Sequence, residues 1–184
     1  MSRETLERIE KAIGSLAAEV ACLREGLEAM RGGAGPMTAR EILSFLDGYR
    51  AGEALGEAAF GGWVAACRDE CLRGGLRVAQ LREGSHARLL EARLKELGGS
   101  PRAELPESAQ ELFYDVLVST EKTDAEKLQC FFAQVDVDSL LRQLSEKADR
   151  MGRDLETQSL VRAIIEDERA TLTFLRTACE QLAG

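Results

Sequence analysis

Aromatic residues are scarce in this chain. One Trp, two Tyr and six Phe make up 5% of its 184 residues. Strands draw on aromatic and β-branched side chains, so the shortage disfavours sheets. Proline is scarcer, with three residues at 36, 101 and 106, and the intervals between them are free to run as helices. No run of about 18 apolar residues occurs, so no membrane span is expected. No long basic run occurs either, and the net charge is −8. Nucleic acid and anionic membrane surfaces are thereby disfavoured as partners. The N-terminal MSRETLERIEK carries charges where a signal peptide needs an apolar core, so a cytoplasmic location is expected. Cysteine is present five times, at 22, 67, 71, 130 and 179, an odd number without a C-x-x-C pair. Reduced thiols fit that pattern, and a structural zinc cluster does not. Cys67 and Cys71, four apart, are expected on one helix face near a turn. There is no glycine-rich phosphate loop. A Ser/His or Cys/His nucleophile site would have to use His86, the single histidine.

What remains is a chain dominated by Ala, Leu, Glu and Arg, which favour helices. The expected class is all-α. Residues 3–31 carry a heptad seam, with Leu6, Ile9, Ile13, Leu16, Val20, Leu23, Leu27 and Met30 stepping by three and four. A narrow seam of this kind suits a coiled-coil arm that joins copies into a homo-oligomer; the other reading is a fifth helix lying along its own bundle. Residues 32–37 contain Gly-Gly and Pro36 and read as a linker. The domain plan is therefore an arm at 1–31, a linker at 32–37 and a helical bundle over 38–184.

Four long helices are expected in the bundle. The first runs over about 38–66, opened by the capping box Thr38 to Glu41. The second starts after a turn at 67–71 and ends at Leu97, before Gly98, Gly99 and Pro101. The third follows the capping box Thr123 to Glu126 and continues to about 150. The fourth runs from about 154 to 182. Residues 98–123 form a long connection with a short helix inside it, which lets the chain cross the bundle. Each long helix has an apolar stripe interrupted once by acid: Glu53, Glu83, Asp138 and Glu168. His86 follows Glu83 by one turn on the same stripe. Tyr49 lies one turn from Glu53, and Glu57 is a further acid off the main stripe. Gly48, Gly52 and Gly56 recur every fourth residue, as close helix packing would require.

The two halves repeat. At an offset of 85 residues Thr38 falls on Thr123, Glu41 on Glu126, Glu53 on Asp138, Glu83 on Glu168 and Leu90 on Leu175. The pattern reads as a duplicated helical hairpin. Glu53 and Glu83 are 30 residues apart about position 68, and Asp138 and Glu168 are 30 apart about position 153. Residues equally far from an antiparallel turn face each other, about 22 Å from it at 1.5 Å per residue. Four carboxylates and one imidazole are thus expected at one level. In an apolar bundle they must be neutralised by shared protons, by arginine or by a metal ion. Oxygen and imidazole ligands suit iron, manganese or zinc.

On these residues the chain resembles the ferritin-like superfamily of carboxylate-bridged di-iron four-helix bundles. REGSHARLLEARLKELGG is similar to that group's second helix and IIEDERATLTFL to its fourth. The resemblance implies an antiparallel four-helix bundle with a long crossover between its second and third helices. It implies Glu53 and Asp138 as terminal carboxylates, Glu83 and Glu168 as potential bridges and His86 as the imidazole ligand, with iron as the foremost cofactor. Thr171 stands where a second histidine belongs, and Asp138 is shorter than the usual Glu, so the second half-site is degenerate. The functions implied are iron handling or oxygen-dependent redox chemistry at an asymmetric or partial centre. The alternative is a bundle without metal or catalysis that serves oligomeric assembly.

Overall fold

In a computed structural model the described residues are 35–182. The heptad segment 3–31 therefore lies outside the described residues. Six helices follow one another: α1 (Ala39–Ala66), α2 (Glu70–Glu96), α3 (Glu107–Leu117), α4 (Asp124–Gln134), α5 (Val137–Asp149) and α6 (Leu155–Leu182). No strand occurs among the described residues. The helices α1 and α2 form one antiparallel hairpin, and α5 packs on α6 to begin the other. Hydrogen bonds at the sequence-marked boundaries set these ends. Thr38 and Glu41 make the reciprocal capping box of α1, and Thr123 and Glu126 repeat it on α4. At the end of α2, Gly98 adopts φ of +81°. Its N–H reaches the Lys95 carbonyl and that of Gly99 the Leu94 carbonyl, a Schellman motif that needs a left-handed residue.

The crossover after α2 is strapped to α1. Asp47 accepts from the backbone N–H groups of Arg102 and Ala103, and Arg50 donates to the Ala103 carbonyl. The expected short helix is α3, which lies on α1 and α4 and buries Leu117. The Asp124 carboxylate ties α4 to the α1–α2 turn. It accepts from the Trp63 indole at 2.9 Å and from the N–H groups of Arg68 and Asp69. Cys67 caps α1 while Cys71 lies in the first turn of α2, so the two do not share a helix face as expected. Cys67, Cys71, Cys130 and Cys179 are free thiols.

The third long helix is the main departure. It breaks at Val135 and Asp136 into α4 and α5. In an unbroken helix, Leu128 and Leu141 would point about 140° apart, since 13 residues at 3.6 per turn do not close a whole turn. Both are buried. The interruption resets the phase so that each segment turns its apolar face inward. Asp136 starts the new helix by accepting from the Ser139 N–H at 3.1 Å, and two β-branched valines flank it.

The apolar interior falls into two clusters. One gathers Leu46, Leu90, Leu94, Leu141, Met151, Val161 and Ile164. The other gathers Phe60, Trp63, Leu72, Leu76, Leu128 and Leu175. Along α1 and α2, the residues between these clusters include Glu53, Gly56, Glu83 and His86. A buried polar layer thus divides the core. None of the described helices is long and apolar enough to cross a membrane.

Candidate metal centre

Three elements supply the layer. From α1 comes Glu53, 4% exposed; from α2 come Glu83 at 7% and His86 at 3%. From α6 comes Glu168, whose side chain is 13% exposed. The His86 Nδ1 nitrogen lies 3.0 Å from Glu53 Oε2 and 3.4 Å from Glu168 Oε1. Glu53, His86 and Glu168 each offer one ligand atom, and all three atoms lie within 4.8 Å of one another. On the outer side, His86 Nε2 lies 3.2 Å from Asp167 Oδ2. Fixing one imidazole nitrogen against a carboxylate directs the other toward the buried acids, the usual support of a ligating histidine.

Glu83 sits beside this triad and interacts with Glu53. It needs the glycine opposite. A Cβ on Gly56 would stand 2.2 Å from Glu83 Oε2, inside any permitted contact. Gly48 and Gly52 face open space, so close helix packing does not explain them. Gly56 alone of the row makes a close approach, and its neighbour is a carboxylate. The reciprocal pair is Gly84, against which Glu57 lies. Glu57 also pairs with Arg88 at 3.8 Å, away from the triad.

The electrostatics follow from crowding acids in a dry layer. Burial, then the charges of Glu168 and Glu53, push the Glu83 carboxyl up to about 10. Burial also raises Glu53, opposed by its hydrogen bond to His86. For His86, burial works against the charged form, but the hydrogen bonds to Glu168, Glu53 and Asp167 prevail and lift it to about 10. Both shifts favour the protonated forms in the metal-free layer, an imidazolium and a neutral Glu83. Two polar atoms there lack a close hydrogen bond: the Tyr49 hydroxyl and Glu168 Oε1, the latter 3.4 Å from His86 Nδ1. Burial and the surrounding carboxylates keep the Tyr49 phenol protonated well beyond its ordinary range.

Of the five expected ligands, the structure brings Glu53, Glu83, His86 and Glu168 into one layer. It does not bring Asp138, which is exposed in the first turn of α5. Its spacing from the turn is right. Its direction is lost because the helix phase resets at Val135–Asp136. Asp167, beside His86, was not singled out from the sequence. Its signal lies in the 85-residue repeat, which carries Arg82 onto Asp167 and His86 onto Thr171. A surface groove of about 270 Å³, lined by Val78, Leu81, Arg82, Ser85, His86, Leu89 and Asp167, leads to the imidazole.

The donor set fits a divalent metal ion. Two carboxylates and one imidazole converge, and a glycine leaves space for a further acid. No family model and no curated protein matches the sequence. Among solved structures, the chain is similar to a dodecameric thioferritin, the bacterioferritin-related protein of Bacteroides fragilis. The identity is 15%, the match covers 87% of this chain and 95% of that one, and the TM-score is 0.64. At that identity the likeness speaks for architecture: the fold of this chain is the ferritin-like helical bundle.

Proposed function

We propose that the protein binds a divalent metal ion, iron foremost, through Glu53, His86 and Glu168, and serves iron handling or oxygen-dependent redox chemistry. The observation that carries this reading is the convergence of Glu53, His86 and Glu168, whose ligand atoms lie within 4.8 Å of one another between the two apolar clusters. A bound iron would supply one-electron chemistry. The residues would do the rest. Asp167 holds Nε2 and so turns Nδ1 inward. Glu83, kept protonated in the metal-free layer, can give up its proton as positive charge arrives. The apolar clusters flank the layer on both sides. Asp138 has no part in this arrangement as it stands.

Anaerobic titration with Fe(II), Mn(II) and Zn(II), followed by calorimetry, tests the reading. One tight site per chain is expected, with affinity reduced at least a hundredfold by Glu168→Ala. Absence of binding for all three ions rejects it, as does binding that Glu168→Ala leaves intact.

The related structure is a dodecamer, which supports assembly of this chain with copies of itself. Residues 3–31 are our proposed contact, on the strength of their heptad seam. Removing residues 1–36 should lower the mass measured by analytical ultracentrifugation. An unchanged oligomer rejects the arm as the contact.

A further inference from the structure

We propose that Arg82 takes the charge role of a second metal ion and holds the centre to one ion per chain. The inference rests on the metal-binding reading above. The 85-residue repeat relates His86 to Thr171 and Arg82 to Asp167, and the structure turns that relation into two cross-helix contacts. In one, the α2 imidazole of His86 meets Asp167 of α6 at 3.2 Å. In its repeat-related counterpart, the Thr171 hydroxyl of α6 meets Arg82 of α2, whose Nη1 donates to Thr171 Oγ1 at 3.2 Å. An imidazole facing a carboxylate has thus become a hydroxyl facing a guanidinium. Both partners differ, and in the same sense: one metal ligand and its anionic support are replaced by a neutral group and a fixed cation.

Arg82 also joins the halves, because its Nε lies 3.8 Å from Asp167 Oδ1. Its charge therefore acts on the same acidic group as His86. Four carboxylates gather here: Glu53, Glu83, Glu168 and Asp167. With all four ionised and His86 neutral, two divalent ions alone would reach neutrality and one would leave two negative charges. Arg82 moves those totals to one positive and one negative charge, so it removes the electrostatic advantage of a second ion. The break before α5 removes the remaining acid of the second half, since Asp138 is exposed. Ligand loss and charge gain thus work toward the same stoichiometry.

The test is Mn(II) binding by the full chain, read by stoichiometry and by electron paramagnetic resonance. The wild type should bind one ion with the six-line signal of an isolated Mn(II). The double substitution Arg82→Asp with Thr171→His restores the symmetric contact and should admit a second, magnetically coupled ion. Arg82→Gln keeps a donor toward Thr171 without the charge, and should tighten the first ion about tenfold or more, since a nearby cation is gone. Its unfolding temperature checks that the fold persists. Two coupled ions in the wild type, or an unchanged affinity in Arg82→Gln, overturn the proposal while leaving the metal reading in place. A folded double variant that stays at one ion also overturns it. A wild type that binds no metal overturns both.

Discussion

Replacing His86 by alanine is expected to lower the stability of the metal-free protein by about 3–5 kcal/mol at neutral pH and to abolish metal binding. The imidazolium is the buried cation of the layer. It lies within 3.4 Å of Glu53 and Glu168 and 3.2 Å from Asp167. Removing one partner of a buried ionic group leaves the other charges uncompensated, which costs about that much. The loss should be fullest below about pH 6.5, where the His86 proton contributes in full, and should shrink as the pH rises toward 10. His86→Gln keeps a polar group near Glu53 and should cost less while still removing the ligand nitrogen. Urea denaturation of the three proteins at pH 7 and pH 9 measures these differences. A loss below about 1 kcal/mol at pH 7 for His86→Ala would show that the imidazole does not neutralise the layer.

That experiment probes the part of the site most legible in the sequence. The stripe Leu76, Ala79, Glu83, His86, Leu90 and Leu94 is buried and Leu97 at its end is half-buried, because a step of three or four residues keeps one face of a straight helix inward. The α1 and α6 stripes brought Glu53 and Glu168 to the same level for the same reason, and both turns fall about the midpoints at 68 and 153. Asp138 is different. Counting from a turn gives depth along a helix, while direction depends on every residue between. Threes outnumber fours from Leu128 through Phe131, Val135 and Asp138 to Leu141, so the stripe winds round the helix, and the break keeps both ends buried. Gly56 shows a second limit. Its four-residue spacing suggested packing between backbones, but the group that fills the space is the Glu83 carboxylate. Which side chain meets a glycine depends on rotamers of the facing helix, which sequence spacing does not encode. Asp167 and Arg82 were hidden for a related reason, since each gains its meaning only from the contact across α2 and α6.

The second large effect concerns pH, and its sign separates the metal-free from the metal-bound protein. His86 rises from an ordinary 6.5 to about 10 in the folded protein, and Glu83 from 4.5 to about 10. In both cases the folded state keeps a proton that the unfolded chain releases. The stabilisation from the His86 proton is fully present below about 6.5 and is lost as the pH rises through about 10. The Glu83 proton acts in the same sense from about 4.5 upward. Stability of the metal-free protein should therefore fall between pH 7 and pH 9, by about 1.4 kcal/mol per pH unit for each such proton. Carboxylates held below their ordinary range, such as Asp47, Asp124 and Asp154, act in the opposite direction but only at acid pH, so they do not mask the slope. His86→Gln should lose one proton's share of it. A metal ion takes the Nδ1 lone pair and the carboxylate charges in their deprotonated forms, so binding releases protons and tightens as the pH rises. With saturating Zn(II) the fall should flatten or reverse. Denaturation midpoints at pH 6, 7.5 and 9, with and without Zn(II), read both slopes. Metal-free stability that stays level or climbs from pH 6 to 9 would mean that the layer does not hold these two protons. A slope indifferent to Zn(II) would mean that the ion binds elsewhere.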